Sequence, residues 1–313
     1  MRRVRLAYRD DDRTPVIFCI REMARRYYNL DVDVIQIKPT EEYEAALFGG
    51  ACDVIIEHLE YLYEEAARGR KVALFMAPSA GGNLELVVSP RVRRPEDLKG
   101  GTMAVRTQGQ PHAVTLWLEM MGLDQEVQTL DVPDKEVGRW GQWKKIVSGE
   151  CVAAFMSSLY LPQALDAGLK VLAVPEIPIV GHYAQACLSE FAAANSALLT
   201  DYIKASIHAV CLMLFRRDEA LEIVAQEPMR RMKIDNRSEL ERQFDSIVKS
   251  LKPKPYPTPK AVANTFDIAV RDYPAAKDIN PLSLWELHWV KRLDDSGFID
   301  DLAAKLAKYS GRA

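Results

Sequence analysis

The sequence predicts an α/β protein of two lobes, each built on a mixed, mostly parallel sheet with helices on both faces. In residues 1–90, short β-type runs alternate with helical patterns, and the alternation restarts near residue 102. The length of 313 residues exceeds what one hydrophobic core usually organises. Two folded units are therefore expected.

The first lobe begins with a predicted strand at 4–8, a helix at 15–28 and a strand at 32–37. The next predicted elements are a helix at 41–48, a strand at 53–56, a helix at 59–67, and strands at 71–76 and 85–88. Strands separated by helices favour parallel pairing. We place the first lobe in residues 1–90 and 186–313.

The second lobe is predicted at 91–185, after a turn-like connector at 95–100. Its predicted elements are strands at 102–106, 127–132, 152–156 and 170–173, with helices at 111–121 and 140–148. The chain is expected to return near 182–187, and Asn195 and Ser196 are predicted to cap a helix that runs to Arg216. Helices at 260–273 and 282–296 are expected to pack on the first lobe.

Composition and charge favour a small-molecule partner. Apolar residues make up 48% of the chain, and the net charge of -3 gives no attraction to nucleic acid or to an anionic membrane. Apolar stretches such as 205–215 are shorter than the roughly 20 residues of a spanning helix, so no transmembrane segment is expected. The first residues lack the apolar run of a secretory signal, which predicts a cytoplasmic protein, or a periplasmic one if a leader has been removed.

Five cysteines are scattered through apolar contexts without metal-type spacing, which predicts buried, reduced thiols. No cofactor is predicted. A divalent metal stays open, because distant histidines and carboxylates could still meet in three dimensions. His208 and His288 are expected to be structural.

Three local phrases, at 48–54, 67–72 and 94–100, occur in an order that resembles a known family. The family equivalents are G-x-x-D-V, a helix ending A-x-G-x-x-V, and D-L-K-G opening the second lobe. The chain resembles type II periplasmic solute-binding proteins, in the branch that includes nitrate, sulfonate and taurine receptors and thiamin-pyrimidine synthases. The resemblance covers roughly the whole chain and implies a small molecule bound in a cleft between two lobes.

A narrower similarity lies just after the first strand. Asp10 to Thr14 resembles the D-Y-D-R-T phrase of 4,5-dihydroxyphthalate decarboxylases, with Asp11 in place of the tyrosine. This resemblance implies a lyase on the same fold. The histidine consumed by thiamin-pyrimidine synthases corresponds to Tyr61 here, and their cysteine-rich stretch is missing, so that chemistry is not predicted.

Candidate ligand-binding residues of the first lobe follow strands, because ligands of open α/β sheets lie beyond the carboxyl ends of the strands. After the first strand come Tyr8, Arg9, Asp12, Arg13 and Thr14. Arg13 could pair with a carboxylate, and Thr14 could cap the following helix. The alternative is a solvated capping segment with no ligand.

Glu57 and His58 end the apolar third strand and are expected to face the cleft, with a surface capping pair as the alternative. His182 could line the hinge or could be packed there without a ligand role.

The second lobe offers a loop that opens onto a helix N-terminus, which suits an anion. Its candidates are Arg106, Thr107, Gln108, Gly109, Gln110 and His112. Thr107 and Gln108 could instead have only a capping role. Ser157 and Ser158, after a later strand, could touch the ligand or cap a helix.

Three functions fit these residues. The first is binding of a carboxylate or other organic anion, as in ABC-transporter solute-binding proteins, with an ABC permease as partner if the chain is exported. The second is a cytoplasmic decarboxylase of a hydroxylated aromatic acid, a possible homodimer with His58, Arg13 and His112 as catalytic residues. The third is a cytoplasmic sensor that presents its ligand state to a partner. No nucleic-acid partner is expected.

Overall fold

The chain folds into two units, Met1–Gly81 with Pro178–Ala313, and Gly82–Ile177. The computed structural model describes residues 1–57, 59–79, 81, 84–107, 111–157, 160–175 and 177–309, with the backbone alone at 111, 112 and 309. Each described unit contains a five-stranded sheet covered by helices. The predicted α/β class is therefore confirmed.

The first unit alternates strands and helices up to its fourth strand. Its opening elements are β1 (Arg2–Tyr8), α1 (Thr14–Tyr27), β2 (Leu30–Gln36), α2 (Thr40–Phe48), β3 (Val54–Ile56), α3 (Tyr61–Ala67) and β4 (Val72–Met76). After the chain returns come β10 (Gln185–Leu188), α8 (Ser189–Ala194), α9 (Ser196–Phe215), α10 (Arg217–Val224), α11 (Glu227–Arg231), α12 (Arg237–Ser250), α13 (Pro259–Asp272), α14 (His288–Asp295) and α15 (Phe298–Tyr309). Most predicted boundaries agree within two residues.

The second unit is smaller. Its elements are β5 (Leu84–Val88), β6 (Thr102–Arg106), α4 (Pro111–Met121), β7 (Gln128–Val132), α5 (Asp134–Val137), α6 (Lys144–Val147), β8 (Ala153–Ser157), α7 (Leu161–Asp166) and β9 (Lys170–Leu172). A continuous helix at 140–148 was predicted and is wrong, since only α6 forms there. Trp140 takes a left-handed φ of 57°, and a Cβ on Gly141 would lie 2.2 Å from the Val137 carbonyl oxygen.

The two sheets share one topology. The strand orders are β2-β1-β3-β10-β4 and β7-β6-β8-β5-β9, and the fourth strand in each is antiparallel to its neighbours. Every other strand in each sheet is parallel, as expected when helices connect them. The antiparallel strand of the second unit, β5, is the first strand of that unit, and β10 is the first strand after the chain returns to the first unit.

The unit boundaries lie eight or nine residues before the predicted ones. β5 pairs with β8 and β9, so it belongs to the second unit rather than to residues 1–90. Residues 178–185 belong to the first unit, because Asn264 Nδ2 donates to the Pro178 carbonyl at 2.8 Å and Val180 N–H donates to Thr265 Oγ1 at 2.8 Å. Strand pairing and α13 thus decide boundaries that local sequence does not mark.

The main core of the first unit lies between the sheet and the helices α1 and α9. α9 is 20 residues long. The apolar stretch at 205–215, which is shorter than a membrane-spanning helix, is therefore the second half of a longer helix. Among the described residues it is the one helix apolar and long enough to cross a membrane, but 67% of its apolar window is buried within the protein. All five cysteines are free and buried, as predicted.

Candidate functional site

The carboxyl ends of the four parallel strands in the first sheet place four loops at one edge. These loops follow β1, β2, β3 and β4. Antiparallel β10 begins at the same edge, where Gln185 pairs with Ile56 and Met76. In open α/β sheets this edge is where ligands bind. The polar residues that these segments place there are therefore the candidates for ligand binding.

The loop after β1 carries Arg13 into the interior. A 3-10 turn at Asp11–Arg13 leads directly into α1, and the Arg13 side chain is only 8% exposed. Thr14 is the first residue of α1, its hydroxyl donates to the Asp11 carbonyl, and α1 has no side-chain cap hydrogen bond. Thr14 therefore does not cap α1, which corrects that prediction.

The buried guanidinium of Arg13 has carboxylates nearby but incomplete hydrogen bonding. Its Nη1 lies 3.3 Å from Asp12 Oδ2 and its Nη2 lies 4.0 Å from Glu57 Oε1, while Nε has no hydrogen-bond partner. Burial disfavours the charged form, but Asp12 and Glu57 outweigh it and raise the pKa of Arg13 above its ordinary value. Arg13 is thus a permanent, buried positive charge with a donor available.

Glu57 holds the loop that carries Arg13. Its side chain is fully buried, and Oε2 accepts from the backbone N–H groups of Arg9 at 2.8 Å and Asp10 at 3.3 Å. Arg9 Nη2 also lies 3.8 Å from Oε1. Glu57 is brought beside Arg9, Asp12 and Arg13 as expected, in a supporting position. His58, the predicted partner of Glu57, lies outside the described residues.

Tyr8 and Tyr183 lie on either side of this loop. The buried Tyr8 hydroxyl accepts from Arg231 Nη1 at 3.3 Å, so α11 contributes to the site. The Tyr183 ring lies 5.7 Å from the Arg13 guanidinium, and its hydroxyl donates to the Asp12 carbonyl at 3.3 Å. Burial is the main cause that raises the pKa of Tyr183. The Tyr183 hydroxyl therefore stays protonated and acts as a donor.

Sequence reasoning missed two buried polar residues at this edge, Ser79 and Gln185. Ser79 is 4% exposed and Gln185 is 1% exposed, and neither the Ser79 hydroxyl nor the Gln185 amide has a hydrogen-bond partner. Ser79 follows β4 by three residues, so the rule that ligands lie beyond strand ends could have found it. Gln185 begins an antiparallel strand, and its only sequence signal is a polar residue within an apolar run.

A small cavity, partly open to solvent, lies beside Glu57 in the first unit. Its lining includes Glu57, Tyr63, His182, Thr265 and Trp285. Trp285 Nε1 donates to the Tyr63 hydroxyl at 3.3 Å. The half-buried His182 thus faces a cavity of the first unit, and its predicted hinge role stays a prediction.

In the second unit, Arg106 is paired inside its own unit. Its Nε lies 3.0 Å from both carboxylate oxygens of Asp134, and its guanidinium lies 4.7 Å from the centre of the Trp140 ring. Burial opposes ionisation of Asp134, but hydrogen bonds from Arg106 and Gln142 lower the pKa of that carboxyl. A ligand anion would therefore have to compete with the Asp134 carboxylate for the Arg106 guanidinium, and the predicted anion-binding role of Arg106 stays a prediction.

The other predicted residues of the second unit are only partly described. Thr107 is exposed, and Ser157 is half-buried at the end of β8. His112 lies in the first turn of α4, described as backbone alone. Gln108, Gly109, Gln110 and Ser158 lie outside the described residues. The helix N-terminal anion site therefore stays a prediction.

Across the part of the chain that the structure describes, no group of three histidine, cysteine or carboxylate residues is placed to hold a metal ion. The expectation that no cofactor is needed stays untested.

Comparison with known proteins gives the fold. No protein-family model matches the sequence, and no curated protein matches it either. A solved structure of a putative periplasmic sulfonate-binding protein SsuA of Methylobacillus flagellatus superposes with a TM-score of 0.69 at 17% identity, covering 95% of each chain. The periplasmic aliphatic sulphonate-binding protein SsuA of Escherichia coli gives 0.68 at 15% identity, covering 92% of this chain and 93% of that one.

A third similar structure is a conserved Candida albicans gene product described as having the generic periplasmic binding protein fold. It gives a TM-score of 0.57 at 15% identity and covers 94% of this chain and 95% of that one. These likenesses extend over nearly the whole length of each chain. The chain has the periplasmic-binding-protein fold, in agreement with the resemblance seen in its sequence.

Proposed function

We propose that this protein binds a small organic anion at the carboxyl edge of the first sheet. The observation that carries the proposal is Arg13, a buried arginine whose Nε has no hydrogen-bond partner, at the start of α1. The N-terminus of a helix carries partial positive charge and unpaired N–H groups, so α1 adds to the attraction for an anion.

The carboxylates near Arg13 do not satisfy all the N–H donors of its planar guanidinium group. Glu57 bonds the backbone of Arg9 and Asp10, and its other oxygen is 4.0 Å from Arg13, beyond hydrogen-bond distance. A sulfonate or carboxylate of the ligand could bond Arg13 through two parallel N–H groups. The sulfonate-binding function named for two similar structures agrees with this chemistry.

The proposed cellular role is that of a solute-binding component of an ABC importer. Two similar structures are named as periplasmic sulfonate-binding proteins, and one of them as part of a sulfonate ABC transporter. These names favour the periplasmic alternative over the cytoplasmic one, with an ABC permease as the proposed partner. Osmotic-shock fractionation of the native host tests this location. Retention of the protein with cytoplasmic markers would contradict it.

The decarboxylase alternative rests on the resemblance of Asp10 to Thr14 alone, since His58 lies outside the described residues and only the backbone of His112 is described. Its assay is nevertheless built into the binding experiment. The mass of each compound is measured by mass spectrometry after incubation with the protein, and a loss of carbon dioxide from the compound would reveal lyase activity.

The binding experiment uses isothermal titration of the full chain with methanesulfonate, butanesulfonate, acetate and benzoate. We expect at least one of them to bind, and we expect Arg13→Gln to weaken that binding by at least about tenfold, because a buried charge pair is lost. Arg25→Gln serves as the control, since Arg25 lies on the same helix, is exposed and pairs with Glu22. Equal affinities for wild type and Arg13→Gln would contradict the proposal.

A further inference from the structure

Gln185 occupies a defined place at the carboxyl edge of the first sheet. It pairs with the last residues of β3 and β4, Ile56 and Met76. Side chains alternate along a strand, and Tyr183 and Cys187 belong to the core cluster that contains α1, whereas Ala184 and Ala186 belong to the cluster on the opposite face. Gln185 therefore lies on the α1 face, between Tyr183 and Cys187.

This position connects Gln185 to the arginine of the proposed site. Tyr183, two residues earlier on the same face, lies beneath the Arg13 guanidinium at 5.7 Å. In the parallel pair of β1 and β3, Ala7 pairs with Ile55, so the next residues, Tyr8 and Ile56, are also neighbours. Ile56 in turn pairs with Gln185 of β10. Tyr8, Ile56 and Gln185 therefore lie side by side across three adjacent strands. Gln185 thus belongs to the same end of the sheet and the same face as Tyr8 and Tyr183.

The carboxamide of Gln185 is an exception to normal burial. The side chain is 1% exposed, yet neither its nitrogen nor its oxygen has a hydrogen-bond partner. Buried polar groups are almost always hydrogen-bonded, and an unpaired one lowers the stability of the folded state. Both atoms of the carboxamide are therefore available to a partner that arrives from outside the chain.

We propose that Gln185 is a specificity residue that binds a hydroxyl group carried by the ligand next to its anionic head. A hydroxyl can accept from the amide nitrogen and donate to the amide oxygen, so it suits both unpaired atoms. The Ser79 hydroxyl, also buried and unpartnered, follows the strand that pairs with Gln185 and provides a second polar contact at this end. This inference rests on the proposed anion-binding function.

The inference is tested with two matched series, ethanesulfonate against isethionate and propionate against lactate. Within each pair the second compound adds one hydroxyl to the first. We expect wild type to bind at least one hydroxylated member about tenfold or more tightly than its partner, because a site built around hydrogen bonds rejects a ligand that lacks them. Gln185→Met keeps the length of the side chain, and we expect it to abolish this preference.

Gln243→Met is the matched control. Gln243 is also a buried glutamine with an unpartnered oxygen, but it lies in α12. We expect this variant to keep the preference of wild type. A preference that survives in Gln185→Met, or that is lost equally in Gln243→Met, would overturn the inference.

Thermal unfolding without ligand gives a second readout. Removing an unpaired buried amide should leave the Tm of Gln185→Met equal to or above that of wild type, whereas a purely structural amide would lower it. A clear fall in Tm with equal loss of affinity for all four compounds would overturn the inference. Failure of wild type to bind any of the four compounds would instead contradict the proposed function. In that case the Tm comparison alone would show whether the Gln185 amide stabilises the fold.

Discussion

Individual buried polar residues divide into those that support the fold and those that the fold leaves available. Glu57 is fully buried and bonds two backbone N–H groups, so its charge organises the loop after β1. Arg106 is held by Asp134 in a similar way. Arg13 and Gln185 keep donors without partners at the carboxyl edge of the first sheet, so the proposed site assigns these donors to the ligand.

His208 is a supporting residue with a pH-dependent consequence. It lies in α9, with Nδ1 3.3 Å from the Tyr28 hydroxyl and its ring 4.5 Å from that of Tyr27. Burial, with a smaller contribution from Lys305, lowers the pKa of His208 to about 4. His208 is therefore neutral in the folded protein under conditions where the unfolded chain would protonate it.

The resulting prediction is a loss of stability on acidification. Between about pH 6.5 and about pH 4 the unfolded state binds more protons than the folded state, so the free energy of unfolding falls as the pH falls through this window. We expect a contribution of about 2 kcal/mol between about pH 7 and about pH 5, measured by urea unfolding.

His208→Gln should remove that contribution, because the substitution removes the titrating ring. The control is His288→Gln, since His288 is exposed at the start of α14. An unchanged pH dependence in His208→Gln would show that other groups cause the loss.

At the scale of elements, helix starts were the weakest sequence predictions. Asn195 was expected to cap α9, but its Nδ2 donates to the Phe191 carbonyl in the last turn of α8, and its side chain makes no cap bond. Asn236 and Thr258 do cap α12 and α13, with side-chain oxygens that accept from Glu239 N–H and Ala261 N–H. An asparagine side chain can thus bond either the start of the following helix or the end of the preceding one, and the neighbouring element determines which of the two bonds forms.

The cap of α12 can be tested directly. Asn236→Ala removes the acceptor that satisfies the Glu239 N–H, and we expect the free energy of unfolding to fall by about 1 kcal/mol. Asn236→Ser keeps an acceptor oxygen and should retain most of that stability. Urea unfolding measures both variants, and equal stability of the alanine and serine variants would rule out a capping contribution.

At the scale of the whole molecule, the two units have separate hydrophobic cores. The first unit contains two clusters, one on each face of its sheet, and the second unit contains its own cluster around Val87, Ala104 and Met156. Domains with their own cores commonly unfold as separate cooperative units.

We therefore expect calorimetric unfolding to depart from a single two-state transition, with a calorimetric enthalpy larger than the van't Hoff enthalpy. Trp117→Leu, at a fully buried position of the second unit that contacts Phe155, should shift one component more than the other. One transition with equal enthalpies, shifted as a whole by Trp117→Leu, would show that the two units unfold together.

Local sequence patterns predicted the α/β class, most of the strands and helices, and the loop that carries Arg13. These features are local, because hydrophobic periodicity and turn residues are visible within a few positions. The phrases at 48–54, 67–72 and 94–100 also led to the periplasmic-binding-protein fold, which the solved structures share.

The tertiary structure was needed to show that β5 belongs to the second unit, that Trp140 interrupts a predicted helix, and that Ser79 and Gln185 lie at the carboxyl edge of the first sheet. Each depends on contacts between residues far apart in sequence: β5 pairs with β8, and Gln185 pairs with Ile56 across more than a hundred residues. Whether a buried polar atom has a partner also depends on such contacts. For that reason the local sequence pattern predicted Arg13 as a ligand-binding residue but did not predict Gln185.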